Sequence, residues 1–470
     1  MNSLTGMTSW LLMFMPTPKK LKIISFCTFY LALLTTPAYA QQTLGVVKET
    51  EFDIAADALI REVEDPTSGP SFSVMRQDIL RLFSSLPPVI QQKVRVDRYG
   101  EKLNQIDAKW YPQVSLSAGL KNYQRDSRSL GSTRPLSGSV QQQIWDFGAT
   151  ETERRGIVAE RDAEQFAIRT ARSETLLKCI NATLALQKAR RLEFFALGFV
   201  NTRKMFAEFM EQRKELGAAS EIDVVRANAK VSQALEQIPA ARAEVARAVA
   251  DYQATFGQLP ASVSYKYYML PIVNLNISDE QIKDIAKDLP SVKAQRSLVD
   301  STITKVDLLK QRQYGVISGQ YSFSGGENAV AGYSNQSTFS IEYNVQVFDG
   351  FRARSAISEA ALASYEQVLE LDQIQRDQVL ALANAKSRFD SSRDTFRNRI
   401  DLLKSTRAID AGTRELFTLN RASITDVFRE QEAHFSAASQ VIDAVFLRDI
   451  SVYQYLHALD RLLPTFELEI

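Results

Sequence analysis

The chain has little of what most chemistry needs. Its 470 residues include two cysteines and two histidines, too few for a disulfide framework or a Cys/His zinc site. His434 and His457 stand isolated on predicted helices. No nucleophile–base pair accompanies them, and no glycine-rich phosphate loop is visible, so the sequence reads as no enzyme, with no metal and no cofactor. An excess of either charge is also missing. Lys and Arg number 56 against 55 Asp and Glu, which removes the basic surface of a nucleic-acid binder. Beyond residue 40 no apolar run reaches about 18 residues, so a spanning helix is not expected, and membrane passage would have to be made of β-strands. What remains is 24% charged and 45% apolar, neither a disordered tail nor a polytopic helical membrane protein.

The first forty residues read as a signal peptide. Lys19, Lys20 and Lys22 precede an apolar run from Ile23 to Leu34, followed by Pro37 and Ala38-Tyr39-Ala40. A basic stretch, a short apolar stretch and small residues two apart are what an export signal requires. Translation could equally begin at Met13 or Met15. Cleavage after Ala40 takes away three lysines and no acid, leaving a slightly acidic mature chain. It also removes Cys27, so Cys179 stays as the sole thiol.

The mature chain repeats itself. Leu86-Pro87 returns as Leu289-Pro290, Tyr111 as Tyr314, and Trp145-Asp146 as Phe348-Asp349. Ser220-Glu221-Ile222-Asp223-Val224 returns as Ser423-Ile424-Thr425-Asp426-Val427, and every pair is 203 residues apart. Four matches at one offset define two tandem copies. The expected organisation is an acidic entry segment at 41–85, broken at Pro66 and Pro70, and a first copy at 86–260. A linker at 261–288, rich in Pro, Tyr and Asn from Tyr265 to Ser278, leads to a second copy at 289–464 and a tail at 465–470.

Each copy changes period in the same order. Pro88 to Lys109 and Ser291 to Gln311 read as helices. Alternation follows: Val114, Leu116, Ala118 and Leu120 interleave with Ser115, Ser117, Gly119 and Lys121. A loop is expected from Gln124 to Thr133, then a second extended stretch from Leu136 to Trp145. In the second copy Phe339, Ile341, Tyr343, Val345 and Val347 face one way, while Thr338, Ser340, Glu342, Asn344 and Gln346 face the other. Such alternation means strands with one apolar and one polar face. Their length suits a tilted transmembrane strand. The polar faces suit a water-filled lumen, lined at Ser340, Glu342, Asn344 and Gln346, and Trp110, Tyr111, Trp145, Tyr314 and Phe348 suit an interfacial girdle. The hairpins, about 111–146 and 314–348, give four long strands per chain. Four strands cannot close, and open edges in lipid cost several kcal/mol per unpaired group. Several chains must then share one barrel.

After each hairpin come long helices, expected from Phe147 to Leu216 and Glu221 to Thr255, and from Ala356 to Leu419 and Ile424 to Leu459. Sixty-odd residues at 1.5 Å each make a rod of about 100 Å. In the turns, Ser220 and Ser423 are placed as helix N-caps, with Asp223 and Asp426 at the positive end. In a closed ring those acids would also form a negative collar able to gate passage.

The helix–hairpin–helix repeat, the junctions Trp145-Asp146-Phe147-Gly148 and Phe348-Asp349-Gly350, and the two S-x-x-D-V turns resemble the TolC family of outer-membrane channel proteins. The resemblance covers residues 75 to 464. It implies a mainly α protein with membrane β: a homotrimer with a 12-stranded β-barrel continued by a periplasmic α-barrel. It further implies a Gram-negative outer-membrane location. The implied partners are a periplasmic adaptor (membrane fusion) protein and an inner-membrane transporter, an ABC exporter or alternatively one of the RND type. Asp426 matches a family aspartate that narrows the periplasmic entrance. Where some members carry a second aspartate this chain has Arg429, free to pair with a neighbouring acid. The turns matching adaptor contacts include Leu216, Gly217 and Ser220, and Asn420, Arg421 and Ser423. The turn Leu419 to Val427 is similar to members serving type I secretion of large adhesins. Multidrug or small-molecule efflux is the alternative, and a poreless envelope spacer a distant one, disfavoured by the hydrated strand face.

Overall fold

The computed structural model describes residues 49–64, 72–119, 121–125, 128–133, 136–260, 270, 277–328 and 332–468. The signal segment 1–40, Pro66, Pro70, Leu120 and most of the stretch from Tyr265 to Ser278 lie outside the described residues.

Two helices, α1 (Glu51–Glu64) and α2 (Phe72–Phe83), precede the repeat. The first copy runs α3 (Pro87–Asp107), β1 (Gln113–Ala118), β2 (Lys121–Arg125), β3 (Arg128–Thr133), β4 (Leu136–Trp145), α4 (Ala149–Glu215), α5 (Glu221–Leu235) and α6 (Gln237–Phe256). After α7 (Asp279–Asp288) the second copy runs α8 (Pro290–Gln311), β5 (Val316–Asn328), β6 (Gly332–Asn344), α9 (Arg352–Thr418) and α10 (Ile424–Ala458), closed by α11 (Leu462–Thr465). The repeated Leu-Pro pairs mark helix starts. Leu86 and Leu289 are extended N-caps, each followed by proline in the first turn, where the missing N–H costs nothing. The long helices α4 and α9 have 67 residues each, and they begin and end at the same 203-residue offset.

Several expectations need correction. The helix expected over Glu221 to Thr255 is two helices, α5 and α6. Pro239 lacks the N–H that would bond back to the Leu235 carbonyl and its ring crowds that carbonyl. The second copy has Ile442 at the corresponding place, and α10 is unbroken. The linker contains α7, which Ser278 starts through a capping box with Gln281. Ile282 and Ala286 bury it against Leu382, Tyr455 and Leu459. The loop expected from Gln124 to Thr133 is largely a two-stranded ribbon: β2 pairs antiparallel with β3, with a register shift between Tyr123 and Gln124. Finally, β6 ends at Asn344. Asn344 pairs with Val316, and the chain before Val316 turns away at Gly315, whose φ is +79°. Val345, Gln346 and Val347 therefore lie past the ladder.

The other strands form one antiparallel sheet in the order β1-β4-β5-β6. Its register aligns like with like. Val114, Val140, Tyr321 and Phe339 stand in one row across all four strands. The adjacent row is Ser115, Ser139, Ser322 and Thr338, and the next polar row is Gln113, Gln141, Gln320 and Ser340. The alternation seen along single strands thus extends across the sheet, giving one apolar and one polar face.

The helices pack side by side. α10 lies along α9, and α8 lies against both α4 and α9. Apolar clusters follow one another down the helices. Leu176, Ile180 and Tyr453 lie in one, Phe199, Ile400 and Val441 in the next, and Phe206, Phe417 and Phe428 in the last, beside the helical turns.

Candidate functional site

Two regions carry the functional signals, at opposite ends of the long helices. At the sheet end, Phe339, Ile341 and Tyr343 are exposed, as are Val114 and Leu116. So are Trp110, Tyr111, Trp145, Tyr314 and Phe348. A surface this apolar calls for a cover, and the described residues do not supply one. The opposite face is dressed in hydroxyls and amides. The Oγ atoms of Ser115 and Ser139 lie 2.8 Å apart, as do those of Ser117 and Ser137. Ser340 donates to Glu342 Oε1 at 3.1 Å, and Glu342 stands opposite Ser318. Ser340, Glu342 and Asn344 thus share the polar face of β6. Gln346 does not belong to the strand, and it accepts a bond from Arg352 Nη2 at 3.3 Å.

The junctions turn strand into helix by aspartate capping. Asp146 accepts from the N–H groups of Gly148 (3.1 Å) and Thr150 (2.6 Å), and Asp349 accepts from Ala353 N–H at 2.7 Å. Phe147 and Phe351 both hold positive φ, 57° and 69°, which strains an L side chain by about 1–2 kcal/mol. Aromatic contacts hold them there: Phe147 against Trp145, Tyr314 and Tyr343, and Phe351 against Phe348.

At the far end each pair of helices closes in the same turn. α4 stops at Leu216, and Gly217 takes φ +73° so that its N–H reaches Lys214 O and that of Ala218 reaches Arg213 O. α9 stops at Leu419, with Asn420 at φ 55° and the matching bonds from Asn420 to Phe417 O and from Arg421 to Leu416 O. This is the paired-bond helix ending that glycine favours and asparagine tolerates. Ser220 and Ser423 then start α5 and α10 through capping boxes. Ser423 N–H donates to Asp426 Oδ2 at 3.1 Å, and Asp426 N–H donates to Ser423 Oγ at 3.1 Å.

The acids are neutralised within their own helices. Arg429 Nη2 lies 3.1 Å from Asp426 Oδ1, and Arg429 Nε donates to Glu430 at 2.9 Å. One copy earlier, Arg226 Nη1 lies 3.3 Å from Asp223 Oδ1, a pair that sequence reasoning missed although the same 203 offset announces it. The Ser423 hydroxyl, then its backbone, then Arg429 hold the Asp426 carboxyl below the usual range. Ser220 foremost does the same for Asp223. A bond across the copies joins the two turns: Arg213 Nη2 donates to Asn420 Oδ1 at 2.7 Å. Leu216 and Arg421 stay exposed. Above the turns a groove of about 520 Å³ runs between α5 and α10, its lining including Arg226, Lys230, Phe428, Arg429 and Glu432.

Sequence reasoning also left His434 isolated, and the structure corrects this. Its Nδ1 lies 3.8 Å from Asp53 Oδ1 and 3.6 Å from Asp410 Oδ2, all three side chains buried. Among the described residues, these three could present ligand atoms within 4.8 Å of one another. They fit a cation poorly. Arg414 donates to both oxygens of Asp53, at 2.8 and 2.9 Å, and also to Asp410, so a guanidinium already supplies the counter-charge.

A family model described as outer membrane efflux protein matches residues 84–258. Over that stretch the chain is similar to the TolC family of outer-membrane channel proteins. Protein CyaE of Bordetella pertussis is 24% identical over 311 residues, 64% of this chain and 65% of that protein. The match thus spans just under two thirds of the curated relative. Among solved structures, the outer-membrane channel OprN superposes with a TM-score of 0.66 at 16% identity, covering 92% of this chain and 98% of that one. The Campylobacter jejuni CmeC outer membrane channel gives 0.69 at 12% identity, covering 82% and 86%. TolC-family proteins are channels and not enzymes, and their place is the Gram-negative outer membrane, with a long helical part in the periplasm.

Proposed function

We propose that this chain is the outer-membrane exit duct of a tripartite export system, three copies sharing one 12-stranded barrel. The carrying observation is a four-stranded sheet that has one exposed apolar face and one polar face, with β1 and β6 as its edges among the described residues. Unpaired edges in lipid cost several kcal/mol per backbone group, so β6 of one copy pairs with β1 of the next. Ser340, Glu342 and Asn344 then line the water-filled lumen. The organisation follows the repeat: copies at 86–260 and 289–464, a linker at 261–288, an entry segment at 41–85, and a signal peptide at 1–40.

The turns at Leu216–Ser220 and Asn420–Ser423 are the adaptor-facing tips, and Asp426, Arg429 and Asp223 set the charge of the periplasmic entrance. The inner-membrane partner is an ABC exporter and the cargo a secreted protein of the large-adhesin class. The resemblance of the Leu419–Val427 turn to secretion-linked members supports this over small-molecule efflux. Purified mature chain should form cross-linked trimers and discrete conductance steps in planar bilayers; a soluble monomer that never conducts would overturn the channel reading. Deleting the gene should remove a large protein from the cell surface and leave drug susceptibility unchanged. The opposite pattern would favour efflux.

A further inference from the structure

Helix α1 precedes both copies, yet it touches an arm of each. On the α4 side, Phe52 packs edge-on against Phe195 and Phe199, with ring centroids at 5.7 and 6.0 Å. Gly198 faces Phe52 at close range: a Cβ there would lie in ordinary contact, 3.6 Å from Phe52 Cα and Cβ, with no space beyond it for a larger side chain. Glu62 of α1 pairs with Arg191 of α4. On the other side Asp53, 1% exposed, receives both terminal nitrogens of Arg414 from α9. Arg407, also of α9, stands 3.4 Å from the same carboxylate.

Asp53 is committed twice over. It also closes the first turn of α1, accepting from Thr50 N–H at 3.0 Å while its own N–H donates to Thr50 Oγ1 at 3.2 Å. Moving the α9–α10 arm away from the α4–α5 arm must therefore break a buried bidentate ion pair, fray the start of α1, or pull Phe52 from its aromatic seat. The lock sits close to the tips. Asp410 and Arg414 lie within the last two to three turns of α9, about 6–12 Å along the axis from its end at Thr418.

We propose that α1 is a clamp that ties the helical arm of the first copy to that of the second just above the tips, with the Asp53–Arg414 pair as its lock. The tie itself is independent of the channel reading; only its consequence, restraint of passage at the tips, rests on that reading.

The test uses the full mature chain in nanodiscs, with spin labels on cysteines introduced by Asn228→Cys on α5 and Thr425→Cys on α10. Cys179 is buried and stays unlabelled. With labelled chains diluted in unlabelled ones, so that an assembly carries one labelled copy, double electron–electron resonance should give one narrow distance in the otherwise native chain. Asp53→Asn keeps the shape of the side chain and removes its charge, and it should broaden that distance at least twofold. Gly198→Leu forces α1 outward with every charge left in place and should do the same. Gly198→Ala, whose added carbon meets only ordinary contacts, should leave the distance narrow. Should Asp53→Asn fail to assemble, Gly198→Leu decides. A narrow distance retained when α1 is displaced overturns the clamp. Conductance of the unmodified chain, measured separately, bears on the channel reading alone.

Discussion

Arg213, at the end of the first long helix, holds Asn420 in the turn that ends the second, across 2.7 Å. The Arg213 side chain is buried, stacked 5.0 Å above Phe417, and its Nε and Nη1 have no hydrogen-bond partner among the described residues. Asn420 therefore serves two ends: it tolerates φ 55° and supplies an acceptor to a buried cation. Asn420→Gly should keep the backbone and lose the acceptor, costing about 1.5–3 kcal/mol. Asn420→Ala should lose both, adding about 1 kcal/mol for the left-handed backbone. Hydrogen exchange of the amides from Phe417 to Ile424 reads the order: slowest in the native chain, then glycine, then alanine. Glycine and alanine exchanging alike would show that the backbone conformation contributes nothing.

At the helical tips, which we propose form the entrance, Arg429→Ala should expose the charge of Asp426 and raise cation preference in bilayer recordings, whereas Asp426→Asn should lower it. The Asp426 carboxyl is held below the usual aspartate range, chiefly by Ser423. The native preference should accordingly persist down to about pH 4, where free carboxylates are already about half protonated, and fall only below that. Selectivity identical in all three chains would remove these residues from the gate.

On the sheet, Glu342→Cys should react with water-soluble thiol reagents in the assembled channel, and Tyr343→Cys should be protected by lipid. Equal labelling at both positions would refute the inside–outside assignment of β6.

Acid stability reports on Asp53. Burial alone would raise its carboxyl, but Arg414, Thr50 and Arg407 outweigh burial and bring it down from 3.8 to about 2. Because the folded value lies below the unfolded one, the stabilisation is complete above pH 3.8 and is lost as pH falls through 2. The stability difference between the native chain and Asp53→Asn should thus be constant at neutral pH and shrink between pH 4 and 2. A difference that grew with acidification would contradict the pairing.

Much of this fold is written locally. Leu-Pro pairs start α3 and α8, alternation marks the strands, and Ser-x-x-Asp starts the return helices, because each acts within a few residues of itself. The repeat then doubles every signal. Pro239 was equally visible in the sequence, and weighing it would have split the helix expected from Glu221 to Thr255. What escaped is non-local. Nothing near Asp53 in the chain reveals Arg414, which is 361 residues away. His434 looks isolated for the same reason. Phe52, Ala56, Leu59 and Val63, all buried, carry the three-four spacing of an amphipathic helix and mark α1, but not the groove that receives it. Gln346 was misplaced because a period of two continues on paper past Asn344, where the partner strand has already turned away.

The equal length of α4 and α9, matched residue for residue, bears on whatever docks beneath them. Three chains arranged around one axis would present six columns of the same height, so their lower rim is level. Around that rim a few side chains alternate, Gly217 with Asn420, Ala218 with Arg421, Glu221 with Ile424 and Ile222 with Thr425. A partner with sixfold repetition could seat evenly on such a rim, while one with threefold repetition would have to tell neighbouring columns apart by those few side chains.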